Sequence, residues 1–79
     1  MEKVVRPISE IAREIKTDWK NPFYGAVPYI DAMLEIEHIE DDYFQDSARG
    51  IVCYFLGNAR TWKGETAKRI KAELNLMLK

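Results

Sequence analysis

Apolar side chains recur every three or four residues along most of the chain, which is the spacing of a helix with one buried face. Ile8, Ile11, Ala12, Ile15 and Trp19 share one side of a helix predicted over about residues 8–19. Pro7 suits the first turn of such a helix. Asn21-Pro22 ends it, because a residue that precedes proline is pushed out of the α region. Val27, Ile30, Met33 and Leu34 predict a shorter helix over about 26–35, with Pro28 in its first turn, where a missing N–H costs nothing. "EIEHIEDD" is charged on every side and reads as a connection with Ile36 and Ile39 turned inward.

A third helix is expected to begin near Asp42 or Asp46, either of which is a suitable N-cap, with Asp42 and Gln45 spaced as a capping pair. Ala48, Ile51, Val52, Phe55, Leu56 and Ala59 form its apolar face. Gly50 and Gly57 lie nearly opposite that face, in a stripe with Asp46 and Cys53. Each glycine costs about 1 kcal/mol relative to alanine inside a helix. A neighbouring helix pressed onto Gly50 and Cys53 would explain the stripe, and so would an exposed groove for a partner. Gly57 has a rival role as a C-cap. "ARTWKGE" then turns the chain, with Thr61 a candidate N-cap. Ala67, Ile70, Leu74, Met77 and Leu78 predict a last helix from Trp62 or Glu65 to Leu78. The expected fold is all-α: a small bundle of three longer helices plus one short one, with helix 47–59 central. Residues 1–6 read as a short N-terminal tail, and 7–79 as one helical domain.

With 79 residues, 47% of them hydrophobic, the chain can pack one core but not two. Such a core supplies only about 3–5 kcal/mol of net stability. Cys53 is the sole cysteine, so no internal disulfide helps, and a reducing cytoplasm is the expected compartment. "MEKVVR" has no apolar core of a signal peptide, and no apolar run approaches the roughly 18 residues that suggest a membrane span.

Charge is unevenly placed. Residues 1–34 carry five basic and five acidic side chains. Residues 35–46 carry six acids and no Lys or Arg. Residues 47–79 carry seven basic and two acidic side chains, so a net charge of −1 hides two opposed lobes. The lobes either neutralise each other within the fold or point to a charged partner.

Candidate chemistry is sparse, and an enzyme is not expected. His38 is the only histidine. Among Glu35, Glu37, Glu40, Asp41 and Asp42 it reads as part of a solvated acidic loop, and no metal or other cofactor is expected. Cys53, inside an apolar helix, reads as packing rather than as a nucleophile. No phosphate-binding glycine loop or hydrolase motif is present.

"DWKNPFYGAVPYIDAM" is the unusual segment. Trp19, Phe23, Tyr24 and Tyr29 crowd around Asn21, Pro22, Gly25 and Pro28. Aromatic rings with polar tips suit surfaces with one buried and one wet edge. The rings either close the end of the core or form a recognition patch, with Phe23 and Tyr24 the outward members. The leading expectation is a small module that binds another protein there, with Arg60, Trp62 and Lys63 as polar and stacking contacts. An alternative is nucleic-acid binding by Lys68, Arg69 and Lys71 of the last helix, where lysines at helical spacing could follow a phosphate backbone. A third is self-association over the Gly50–Gly57 stripe.

Two segments, "YGAVPY" and "NARTWKGETA", carry a resemblance that extends over residues 8–78. They are similar to small uncharacterised proteins encoded by bacteriophages, prophages and other bacterial mobile elements. The resemblance brings no activity and no functional residue. It implies a cytoplasmic accessory protein that acts on host or phage machinery.

Overall fold

Residues 6–79 are described by the computed structural model, and the first five, most of the expected tail, lie outside the described residues. Four helices follow one another: α1 (Ile8–Asp18), α2 (Val27–Met33), α3 (Ala48–Gly57) and α4 (Glu65–Leu78). The chain is not purely helical. Two short strands, β1 (Asp42–Tyr43) and β2 (Asp46–Ser47), pair antiparallel between α2 and α3, which corrects the all-α expectation.

Each helix forms for a local reason. In α1, Ile8, Ile11, Ala12 and Ile15 are fully buried on one stripe. Pro7 stands just before it rather than in its first turn, and its carbonyl accepts from the N–H groups of Glu10 and Ile11 at 3.0 and 3.2 Å. Pro28 lies in the first turn of α2, as the sequence suggests. Ile36 in the acidic connection turns inward and is buried, and the backbone there docks onto α1 through Ile8 N–H donating to Glu37 O at 3.0 Å.

The hairpin replaces the expected helix start at Asp42 or Asp46. Tyr43 pairs with Asp46 across a two-residue loop, Phe44-Gln45. Phe44 takes a positive φ of 57°, as the first position of a tight hairpin loop requires, although glycine or asparagine is usual there. Ser47 then becomes the cap of α3, its Oγ accepting from Gly50 N–H at 3.1 Å.

The core lies among the four helices, with α2 packed on α1 and α3, and α4 on α1 and α3. Phe55 and Val52 of α3, Met33 of α2, and Ile70 and Leu74 of α4 are fully buried in it. Fully burying each such side chain contributes about 1.5–3 kcal/mol. α3 packs against α2, α4 and the hairpin, but on one side only. Arg49, Cys53, Tyr54 and Gly57 face solvent.

The glycine stripe therefore has no neighbour. A Cβ on Gly57 would meet nothing within 4 Å, and one on Gly50 would meet only the Ser47 hydroxyl at 3.3 Å. Nor is Gly57 a left-handed cap: it is the last helical residue, and Asn58 follows as C-cap with φ −106°. Cys53 is exposed rather than packed. The expected backbone approach to Gly50 and Cys53 is absent because α2 and α4 pack on the bulky face of α3, where apolar area is buried.

Outside the apolar core, a cluster of charges joins α1 to α4. Arg6 grips Glu73 with two parallel bonds, Nε to Oε2 at 2.9 Å and Nη2 to Oε1 at 2.8 Å, and reaches Glu14 Oε1 through Nη1 at 2.9 Å. Arg69 of α4 donates to the other oxygen of Glu14. Arg6 is thus bonded to both α1 and α4.

Candidate interaction surface

At the far end of α1 the chain turns sharply through residues 19–26. Trp19 goes inward. Its ring stacks on Trp62 with centroids 5.6 Å apart and planes 11° apart, and both rings meet the edge of Phe55, at 6.4 and 6.2 Å. Such aromatic packing contributes about 0.5–1.5 kcal/mol per pair beyond the area it buries. Trp62 Nε1 donates to Asp18 Oδ2 at 2.8 Å, which satisfies its one polar atom.

Trp62 is 2% exposed, so it is a core residue and not the surface contact expected from its place in "TWKG". The correction has a physical cause. The connection over residues 58–64, which brings α4 back beside α1, drops the indole onto the open face of Trp19. Thr61 does not cap α4 either. That place is taken by Gly64, whose φ of 114° and ψ of 178° are all but reserved to glycine.

Phe23 and Tyr24 point the other way. They are 41% and 82% exposed, with ring centroids 4.8 Å apart. The backbone beneath Phe23 is close. A Cβ on Gly25 would come within 2.6 Å of Phe23 Cε2 and 2.9 Å of Asn58 Oδ1, so glycine there lets the Phe23 ring lie against the α3 terminus. Phe23, Gly57, Asn58, Arg60 and Thr61 line a shallow cleft of about 170 Å³. On the neighbouring face, Tyr54 of α3 stacks on Tyr29 of α2 at 5.5 Å and stays largely exposed.

Arg60 and Lys63 are exposed, as is Lys20, which follows Trp19. The Trp19–Trp62 stack holds these segments at one end of the molecule. None of the three cations makes a hydrogen bond or ion pair among the described residues. Of the five residues expected to form the surface, Phe23, Tyr24, Arg60 and Lys63 are outward; Phe23 touches Tyr24 and shares the cleft with Arg60, Lys63 lines a separate hollow with Gly64, Lys68 and Lys71, and Trp62 is buried.

The basic side chains of α4 are differently placed. Lys71 Nζ donates to Trp62 O at 2.7 Å and sits over the Trp62 ring at 5.9 Å. Arg69 is bonded to Glu14. Only Lys68, of the three residues considered for nucleic acid, is without such a partner among the described residues. In the acidic segment, His38 N–H donates to Asp41 Oδ2 at 3.0 Å, and Glu37 accepts from Ser9 Oγ at 2.8 Å. Among the described residues no three His, Cys, Asp or Glu side chains gather as metal ligands, and no helix is long and apolar enough to cross a membrane.

Comparison with known proteins gives no match, whether to family models, to curated proteins or to solved structures.

Proposed function

We propose that this protein is a non-enzymatic docking module that binds another protein through the aromatic turn. One observation carries the proposal: Phe23 and Tyr24 stand in mutual contact on the surface, beside a cleft edged by Arg60, which has no ion-pair partner among the described residues. Aromatic and arginine side chains are the residues that most often dominate binding energy at protein interfaces. Phe23 lies close over Gly25, so its ring gives up less conformational freedom when a partner docks. A cytoplasmic accessory role in a bacteriophage or mobile element belongs to the same proposal, and its support is the sequence resemblance alone.

Capture from a lysate of the source organism tests this reading. Tyr24→Ala removes an 82%-exposed ring, so stability should change by less than about 0.5 kcal/mol. The combined Phe23→Ala and Tyr24→Ala protein should keep its helical circular dichroism and lose its captured partner, with or without nuclease. Undiminished capture by the folded double variant would refute the assignment.

A further inference from the structure

The aromatic turn lacks an occupant, and its chemistry describes one. The surface offers two exposed rings and a shallow cleft edged by Arg60, with exposed Lys20 and Lys63 in the flanking turn segments, and none of the three cations has a carboxylate partner among the described residues. A complementary ligand carries several carboxylates around an exposed apolar side chain that can enter the cleft.

The same chain displays such an element. Phe44 at the hairpin loop is 87% exposed, the most exposed of the large hydrophobic side chains among the described residues, and its only ring neighbour is Tyr43 at 4.7 Å. The segment that carries it, residues 35–46, holds six acids and no Lys or Arg. Glu40, Asp42 and Asp46 are exposed, and their carboxylates make no hydrogen bond or ion pair among the described residues.

The two elements cannot meet within one molecule. The hairpin runs directly into the first residue of α3, while the cleft is lined by residues at and beyond its last residue. Ten helical residues hold the two ends about 15 Å apart. A two-residue hairpin loop has no slack to cross that distance.

Resting on the aromatic turn being a docking surface, we infer that its occupant is a second copy of this chain, whose acidic hairpin seats Phe44 against Phe23 and Tyr24 at Arg60. The contact is head-to-tail. Each molecule keeps one free hairpin and one free turn, so association continues into chains or closes into a ring instead of stopping at a symmetric pair. The end faces of a molecule measuring 34 × 32 × 19 Å are small. The contact therefore belongs among weak, transient interfaces, with half-association at about 10 µM to 1 mM. Opposed charges make it sensitive to salt, since screening acts over about 10 Å at 0.1 M.

Sedimentation equilibrium on the intact protein tests this. Across concentrations spanning that range, the average number of chains per particle should rise from one to more than two in 50 mM salt, and return towards one in 500 mM salt. Phe44→Gly removes the ring while suiting the positive φ, so it should fold and stay monomeric. Combined Arg60→Glu and Lys63→Glu should do the same from the other end. Mixing these two proteins leaves one working hairpin and one working turn, so the mixture should form a 1:1 pair and nothing larger. A wild-type protein that remains monomeric, or an oligomer that both variants preserve, overturns the self-docking inference. In the first case, loss of lysate capture by the Phe23/Tyr24 variant would leave the docking surface standing with a different occupant. Failure of both experiments would remove the surface itself.

Discussion

Trp62→Ala is expected to leave the protein largely unfolded at room temperature. Truncating a buried tryptophan costs about 3–5 kcal/mol, which is about the whole net stability of a core this small. The loss is concentrated at this position. Trp62 supplies one face of the stack with Trp19, an edge contact to Phe55, a hydrogen bond to Asp18 and the ring beneath the Lys71 ammonium. Trp62→Phe should be far milder, because it keeps a ring against Trp19 and leaves behind an Asp18 carboxylate that water can reach. Urea titration followed by far-ultraviolet circular dichroism distinguishes the outcomes. A native-like alanine variant that merely lost a binding partner would restore Trp62 to the surface and contradict the packing described above.

Arg6→Ala should be the next most damaging change, by about 1.5–3 kcal/mol, the range of hydrogen bonds to charged groups. Arg6 is three-quarters shielded and bonds both Glu73 and Glu14, so its loss leaves Glu73 without a cationic partner among the described residues, while Glu14 keeps Arg69. The same cluster sets the response to acid. The Arg69 bond, followed by the Arg6 bond, outweighs partial desolvation and holds the Glu14 carboxyl below its ordinary value of 4.5. A carboxyl that binds its proton more weakly folded than unfolded stabilises the fold above that ordinary value. The contribution is lost as pH falls through the lower folded value. Arg6 is shifted upward, chiefly by Glu73, and stays charged throughout the working range. Stability should therefore be level near pH 6–7 and fall below about pH 4.5. In Arg6→Ala that acid-sensitive component should shrink. An unchanged slope would mean that the cluster is not coupled to folding.

The four helices were legible because their stripes are long and regular. Ile8, Ile11 and Ile15, or Ile70 and Leu74, can satisfy a buried face only as a helix. The hairpin was not legible. Its loop has none of the glycine or asparagine that marks a tight turn, and Phe44 takes the left-handed conformation in their place. Trp62 was misplaced for a related reason. A single aromatic in a turn has no periodic companions, and its burial is decided by Asp18 and Trp19, some 44 residues earlier. The stripe of Gly50, Cys53 and Gly57 looks the same in sequence whether a neighbour covers it or not. The candidate surface was half legible: clustered prolines and aromatics located the turn, but which rings face outward depends on the fold.

The pairing of the two indoles has a spectroscopic consequence. Trp19 and Trp62 are the only tryptophans, they lie face to face, and both are shielded from water. Intrinsic emission excited at the red edge therefore comes from one shielded chromophore pair. It reports whether the core is intact and is nearly blind to what touches Tyr24, so fluorescence and docking can be followed in the same sample as separate quantities.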